Sequence, residues 1–382
     1  MPYKSPFVRL FPNENPALVV ALGILFCPLL THLDWSNKAL VVFLVTPIAC
    51  MHPVLFLLSA LMGLFYHYSP LKPLDISPFF APLQKGLEQR IDALYSSDIA
   101  LFYKTFLLGK SPGVSLGFLF RSLGLSHLLA ISGFHFQSIL STFDLLLSRL
   151  SKGRFTLVFL ILIASGYVLV VQLSSSVLRS FLSIFLTLLA PLCKRFQHPK
   201  NTFYLSFILV FLLLSEKSFQ IGSALSFLAT FGILFYSKKI NAFLESRFVK
   251  KSFYLIPQSK NLCKKFFCNL LSLNLAVTFV TLPYILLHIH SFPPLALITN
   301  LIFPPLMLPT LFLCILSMFI PFLSPLCSWY TGKVLALMSA IPRPLTFNLY
   351  PPKDAEPLFQ TILILIVGIA ILRSCHKTAD TV

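Results

Sequence analysis

Long, continuous apolar runs separated by short polar breaks make up most of this chain. Many of the runs approach the roughly 20 residues that an α-helix needs to cross the hydrocarbon core of a bilayer. A transmembrane barrel would instead show short strands of alternating polarity. The pattern therefore predicts an all-α, polytopic transmembrane protein with about 9 to 11 spans. The predicted spans are residues 17–32, 39–66 (with Pro53 as a breaking point), 127–149, 155–173, 175–193, 202–215, 219–237, 266–287, 295–320 and 357–373.

Two segments interrupt the spanning pattern. Residues 67–126 mix basic and acidic side chains with apolar ones, which is typical of amphipathic helices that lie along a membrane surface. Residues 324–346 contain Trp329 and Lys333, so they fit either an interfacial helix or a short span. The predicted organisation is N-terminal transmembrane segments over 1–70, an amphipathic interfacial region over 71–126, the main transmembrane domain over 127–350, and a C-terminal span with a short cytoplasmic tail over 351–382.

Composition supports the membrane interpretation. The chain is 57% hydrophobic and only 11% charged, whereas soluble domains carry about 25% charged residues. The net charge of +18 does not by itself indicate nucleic-acid binding, because basic residues accumulate in the cytoplasmic loops of multispan proteins. The eight cysteines are scattered without the paired spacing of a zinc site, so we expect no metal and no cofactor. We also expect no cleavable signal peptide, because the first apolar run lacks a small-residue cleavage site.

Three basic loops orient the middle of the chain. They lie around Lys152, around Lys194 and over residues 238–265, where eight basic residues are opposed only by Glu245. Two predicted spans separate each loop from the next, so all three loops fall on one side, which the positive-inside rule makes the cytoplasm. Polar residues within the spans then lie mostly in the outer halves. This distribution predicts a polar cavity that opens to the outside and is closed by apolar residues below.

The polar stretch His-Leu-Leu-Ala-Ile-Ser-Gly-Phe-His over residues 127–135 is the strongest candidate for function. Ionisable groups at membrane depth are costly, so a functional role is the default hypothesis for them. The pair Ser132 and Gly133 could loosen or kink the helix, and the freed carbonyl groups would then need partners in a cavity. Imidazoles are also tolerated at membrane interfaces, and Ser and Gly are ordinary helix-packing residues. The residues predicted to line a translocation path or functional cavity are His127, Ser132, Gly133, His135, Ser176, Arg179, Ser226 and Asn300.

Arg179 and Asn300 suggest what such a cavity would bind. A guanidinium near a membrane span either bonds helix-end carbonyls or contacts an anion, because its fork matches a phosphate in a bidentate way. Asn300 lies in the proline-flanked segment 293–309. That segment is predicted to form a broken helix that lines a cavity, where irregular backbone is allowed.

A hydrolytic role is the main alternative from the residues alone. Ser132 and His135 are one helical turn apart and could form a nucleophile–base pair. The neighbouring spans offer no acidic residue at that depth, since Asp144 lies nearer the cytoplasmic side. We therefore predict no catalytic residue, although an intramembrane Ser–His hydrolase and a transporter of another anionic solute or lipid both stay open.

The segment from Leu108 to His135 resembles the opening signature of the ComEC competence domain. Phe134, Ser180 and Ala224 depart from the family pattern, which usually has Leu, Ala and Gln at these places. The resemblance extends over about 108–350. Three later segments resemble the family in the same order: Ser175 to Ser180, Leu225 to Gly232, and Ser291 to Pro304.

The resemblance implies a multi-pass channel in the bacterial inner membrane that carries single-stranded DNA into the cytoplasm during natural transformation. It implies the lipid bilayer, a periplasmic DNA receptor and a cytoplasmic helicase as partners. Larger relatives also carry a soluble oligonucleotide-binding domain and a nuclease domain, and the His-x-His-x-Asp-His run of that nuclease is missing here. We therefore expect a channel or transporter and no enzyme. The basic loop over 238–265 is explained by topology, although it could also meet the emerging strand or a cytoplasmic motor.

Overall fold

Helices account for almost all of the regular secondary structure in the part of the chain that is described. The computed structural model describes residues 16–31, 38–42, 44–45, 56–61, 77–147, 153–171, 174–194, 198–214, 221–248, 258–342, 350, 352 and 355–376. No β-strand occurs among them, which confirms the all-α prediction. The helices are α1 (Pro16–Thr31), α2 (Ser77–Leu94), α3 (Ser97–Leu108), α4 (Gly113–Ser122), α5 (Ser126–Leu129), α6 (Gly133–Leu147), α7 (Arg154–Val170), α8 (Ser175–Leu192), α9 (Pro199–Leu214), α10 (Ile221–Phe248), α11 (Gln258–His288), α12 (Ala296–Phe319), α13 (Ser324–Ser339) and α14 (Glu356–His376).

The apolar helices confirm a helical membrane protein. Among the described residues, three helices are long and apolar enough to cross a membrane: α10, the Lys264–His288 part of α11, and α12. The predicted breaking point at Pro53 lies outside the described residues. Five shorter apolar helices fall within other predicted spans: Ala17–Phe26, Arg154–Val170, Ser176–Leu192, Pro199–Leu213 and Glu356–Ile371.

Two compact units, each assembled from separate stretches of sequence, make up the protein. Unit 1 combines residues 1–73, 198–291 and 350–382, and unit 2 combines residues 74–197 and 292–349. In unit 1, α1 packs against α9, while α11 packs against both α10 and α14. In unit 2, α6 packs against α7, α8 and α12, so that α6 is the central helix of this unit's bundle.

Helix α10 approaches the backbone of α11 closely at Gly232. A Cβ atom built on Gly232 would lie 2.6 Å from the backbone oxygen of Ala276. Small residues let membrane helices approach this closely, because van der Waals packing holds them together where hydrophobic burial cannot. A π-helical turn, Ile233–Ser237, follows at once, and the Tyr236 hydroxyl donates to the backbone oxygen of Ile366 in α14 at 2.6 Å.

Unit 2 has a large aromatic core beneath its amphipathic segments. Phe102, Tyr103, Phe106 and Phe120 are each completely buried, although they come from the region that the sequence assigns to the membrane surface. The polar faces of α2 and α3 are joined by ion pairs at their exposed edge, including Lys104 to Asp92 at 2.6 Å. Exposed pairs of this kind stabilise a fold by less than about 1 kcal/mol. The aromatic core therefore holds these helices in place.

The prediction of a broken helix over 293–309 is wrong for its helical part. Helix α12 runs without interruption from Ala296 to Phe319 and contains Pro304, Pro305 and Pro309. Each proline removes one backbone hydrogen bond, but neighbouring hydroxyl groups can bond carbonyl oxygens in a membrane helix. The carbonyl groups that lose their helical partners are those of Asn300, Leu301 and Pro305. Tyr330 of α13 donates to the next carbonyl along, that of Leu306, at 3.1 Å and so ties the proline-containing part of α12 to α13.

We predict that Gly232→Ala lowers the stability of the protein, because the added methyl group would overlap the α11 backbone. Overpacking of this kind costs about 1–3 kcal/mol. Thermal unfolding in detergent, followed by circular dichroism, measures the effect. The matched control is Gly222→Ala in the same helix, where a Cβ atom meets nothing within 4 Å. Equal melting temperatures for the two variants would contradict the close contact.

Candidate functional site

The candidate site is built around a break between α5 and α6. Helix α5 ends at Leu129, Ala130 has an extended backbone with φ −78° and ψ 129°, and α6 begins at Gly133. The predicted span over 127–149 is therefore not a single helix, and the interruption lies next to Ser132 and Gly133, where the sequence indicates a possible kink. The reason is local, because Ser side chains compete with the helix for backbone hydrogen bonds and favour the position just before a helix start.

The His135 side chain stabilises this break by accepting a hydrogen bond from the backbone just before α6. Its Nδ1 atom accepts the backbone N–H of Ser132 at 3.2 Å and lies 3.4 Å from the Ser132 hydroxyl. A side chain three residues into a helix reaches back in the same way in a capping box, where Glu or Gln is usual. The imidazole is completely buried and packs edge-on against the Phe106 ring, with ring centres 4.6 Å apart.

The other nitrogen of the His135 ring is left without a hydrogen bond. Because Nδ1 accepts an amide hydrogen, the neutral ring carries its own hydrogen on Nε2. Nε2 is buried and has no hydrogen-bond partner among the described residues. Buried donors are almost always satisfied in native proteins, so an unsatisfied one calls for a physical explanation such as a bound molecule.

Helix α8 brings a cation and two hydroxyl groups to the break. Arg179 is only 7% exposed, and its Nη2 atom lies 3.2 Å from the Ser180 hydroxyl. A Cβ atom on Gly133 would lie 3.6 Å from both of these groups, so α6 begins directly beside the guanidinium. Ser176 donates to the backbone oxygen of Ile131 within the break at 3.4 Å.

Two helix N-termini therefore meet at Arg179. Helix α6 begins at Gly133 and helix α8 begins at Ser175, one turn before the arginine. Each N-terminus carries roughly half a positive charge from the helix dipole, and at the start of α8 the Ser174 hydroxyl accepts the Val177 N–H at 3.2 Å. Together with a buried guanidinium they create a site of positive potential. Such a site is suited to an anion.

Helix α12 packs against α6 in the same unit. Gly124 has φ +71°, a conformation that favours glycine, and a Cβ atom there would collide with the Cβ atom of Ala296. Thr299 donates to the backbone oxygen of Leu123 at 2.7 Å, which anchors α12 to this turn. Asn300 follows, and its Oδ1 atom is buried without a hydrogen-bond partner among the residues that the structure describes.

The structure brings most of the sequence-predicted residues together. We call His127, Ser132, Gly133, His135, Ser176 and Arg179 the break cluster. His127 lies in α5, the short helix that leads into the break, and it is exposed. Asn300 belongs to the same unit, whereas Ser226 belongs to α10 of unit 1, where its carbonyl oxygen accepts the Thr230 hydroxyl at 2.9 Å.

Sequence reasoning missed Ser180 and Phe106 as members of the site. Ser180 lies four residues after Ser176 on one face of α8, a spacing that could have identified it. Phe106 carries no such signal, because its contact with His135 joins distant segments. Helices α5, α6 and α8 contain a single carboxylate, Asp144, which is exposed. Among the described residues, no group of three or more His, Cys, Asp or Glu side chains could hold a metal ion.

Comparison with known proteins gives one result. A family model described as Competence protein matches residues 116–375, about two thirds of the chain. The match begins within α4 and includes the whole break cluster. No curated protein and no solved structure matches the chain.

We predict that His135→Ala lowers the free energy of unfolding by about 1–3 kcal/mol, because it leaves the Ser132 amide unbonded and opens a cavity beside Phe106. His135→Gln restores an acceptor at the position that capping boxes use, and it recovers part of the loss. Unfolding in detergent measures both variants. The control is His198→Ala, which removes an exposed imidazole. An Ala variant as stable as this control would contradict the capping role.

Proposed function

The chain belongs to the competence protein family, and on that premise we propose that it is a multi-pass channel of the bacterial inner membrane. The channel would carry single-stranded DNA into the cytoplasm during natural transformation. Family membership indicates a role in DNA uptake, and the membrane-length helices agree with transport across a bilayer. One observation carries the finer proposal: the buried guanidinium of Arg179 lies where two helix N-termini meet.

The cost of burying Arg179 is the first step of the argument. A charged side chain at the centre of a membrane span costs about 2.5–3.5 kcal/mol on insertion scales, and less near a helix end. Arg179 stands near the start of α8 and is nevertheless buried among Gly133 and Ser180. A buried guanidinium in a membrane helix therefore marks a candidate site for a passing anion. DNA presents such an anion at every nucleotide.

A translocation path must also release what it binds. Ser132, His135 and Asn300 offer neutral hydroxyl, imidazole and amide groups, and the last two have buried polar atoms without hydrogen-bond partners among the described residues. Contacts to phosphate carry no sequence information, which suits a channel that accepts any strand. A single cation among neutral groups would bind each phosphate weakly enough to let it move on.

Partners of this channel follow from the same proposal. A periplasmic receptor would deliver the strand, and a cytoplasmic helicase would draw it inward. The lipid bilayer surrounds the exposed apolar faces of the helices.

The Ser–His hydrolase is a second candidate, because the Ser132 hydroxyl lies 3.4 Å from His135 Nδ1. General-base catalysis needs a free lone pair on that nitrogen. Here the lone pair already accepts the Ser132 backbone N–H at 3.2 Å. We therefore interpret the contact as part of a helix cap. Labelling of Ser132 by a fluorophosphonate probe, lost in Ser132→Ala, would instead support the hydrolase.

We predict that Arg179→Ala reduces uptake of labelled DNA into the cytoplasm by about 10- to 100-fold. Loss of a charged hydrogen bond to phosphate weakens the contact by about 1.5–3 kcal/mol. Arg179→Lys keeps the charge but loses the planar fork, so its uptake falls between that of Ala and that of the natural residue. The assay is entry of labelled DNA into a transformable host that depends on this gene.

The matched control is Arg154→Ala, which removes an exposed cation from the start of α7. All variants are compared at equal amounts of protein in the membrane. Normal DNA uptake by Arg179→Ala would contradict the proposal. Normal uptake in a deletion strain that accumulates an anionic metabolite or lipid outside would favour a transporter of that solute.

A further inference from the structure

We propose that the cytoplasmic ends of α10 and α11 form a binding surface for single-stranded DNA that leaves the channel. The surface belongs to unit 1, and it rests on the proposed function because it names where the transported strand is received. Exposed cations and exposed phenylalanine rings share this surface. The residues of this basic–aromatic surface are Lys238, Lys239, Phe243, Arg247, Phe248, Lys264, Lys265, Phe266 and Phe267.

The lengths of the two helices place this surface beyond the membrane core. Helix α10 has 28 residues, about 42 Å at a rise of about 1.5 Å per residue, whereas the hydrocarbon core is about 30 Å thick. The helices are antiparallel: they touch at Gly232 and Ala276, and a parallel pair touching there would put the end of α10 about 50 Å from the start of α11. The connection over residues 249–257 is too short to cover that distance. The end of α10 and the start of α11 therefore project on the same side.

That side is the cytoplasm by the positive-inside rule. The projecting ends and their connection carry eight basic residues between Lys238 and Lys265, and Glu245 is the one acidic residue there. Glu245 accepts a hydrogen bond from the Asn241 side chain at 2.9 Å and is partly buried. The cations named for the surface are exposed, so their charge is available to a polyanion.

The exposed rings indicate a nucleic acid as the ligand, which the positive charge alone would not specify. Phe243, Phe248, Phe266 and Phe267 are each more than half exposed. Proteins that bind single strands without sequence preference combine cations that track the backbone with aromatic rings on which bases stack. In Lys239, Phe243 and Arg247 the two kinds of residue alternate at a spacing of four, which aligns them along one face of α10.

This alternation argues against a purely lipid-binding role. Helices that lie on an anionic membrane separate their basic and apolar side chains onto different faces. On α10 the Arg247 guanidinium instead lies over the Phe243 ring, 6.0 Å from its centre. A base can stack on the open side of that ring while the neighbouring cations contact its phosphates. The surface therefore has the chemistry of a flexible strand with bases exposed.

The test measures binding of a fluorescein-labelled thymidine 20-mer to the purified full chain in zwitterionic nanodiscs, by anisotropy over a range of salt concentrations. Replacing Lys238, Lys239 and Arg247 by Gln removes three cations. The slope of log affinity against log salt should then fall by about 2, and binding at low salt should weaken about tenfold or more. The matched control replaces Arg154 and Lys194, exposed cations at the other two basic loops, by Gln, and it should bind nearly as the natural protein does.

Exchanging rings for aliphatic side chains separates stacking from lipid contact. Phe243→Leu with Phe266→Leu keeps the apolar character but removes the rings, so affinity should fall about fivefold or more for each engaged base while the salt slope is unchanged. Unchanged affinity and slope in the Gln variant would overturn the proposal. A second result would also overturn the proposal, in favour of a surface that binds an anionic membrane. In that case the Gln variant binds the 20-mer more weakly, the Leu variant binds it with unchanged affinity, and phosphatidylglycerol vesicles compete fully with it.

The two proposals can fail separately. DNA uptake by Arg179→Ala reports on the channel, whereas strand binding by the Gln variant reports on the basic–aromatic surface. A protein that binds DNA at this surface but whose Arg179 variant transports normally would retain the surface and lose the proposed path.

Discussion

The need to bond every backbone amide in an apolar environment underlies the candidate site. A helix that breaks inside a membrane protein exposes N–H and C=O groups that lipid cannot satisfy. Here the break between α5 and α6 is closed from within the protein, because His135 accepts the Ser132 amide hydrogen and Ser176 donates to the Ile131 carbonyl oxygen. The polar side chains around the break therefore stabilise the fold, whatever their role in function.

The same break also produces the features that suit the site to an anion. A helix that starts at Gly133 rather than continuing from Leu129 directs its N-terminus towards the start of α8. The Arg179 guanidinium lies beside this N-terminus, at ordinary contact distance from the place where a side chain on residue 133 would begin. The same hydrogen bond that satisfies Ser132 commits His135 Nδ1 to the cap and leaves Nε2 as a buried donor. Capping, positive potential and an open hydrogen-bonding group therefore arise from one arrangement.

Much of this arrangement could be predicted from the sequence, and the rest depended on contacts across the chain. Apolar runs predicted the helical membrane fold, and the cost of burying ionisable groups identified Arg179 and His135. A kink at Ser132 and Gly133 could be expected from the sequence, but a complete break with an extended Ala130 could not. An apolar run around Ala130 to Ser132 looks the same whether its hydrogen bonds are helical or made to side chains. The continuity of α12 was missed for the opposite reason, since Pro304 and Pro305 suggest a break unless a neighbouring helix can bond the nearby carbonyls. Phe106 packs on His135 across distant segments, and local periodicity carries no information on such pairs.

The most direct test of the central claim is to trap DNA at the break cluster during uptake. A photo-cross-linking amino acid at Ser176 would be illuminated while labelled DNA enters cells, with Leu162, an exposed apolar residue of α7, as the control position. A path through the cluster predicts DNA adducts at Ser176 and none at Leu162. Active uptake with no adduct at Ser176, or with equal adducts at both positions, would contradict the account.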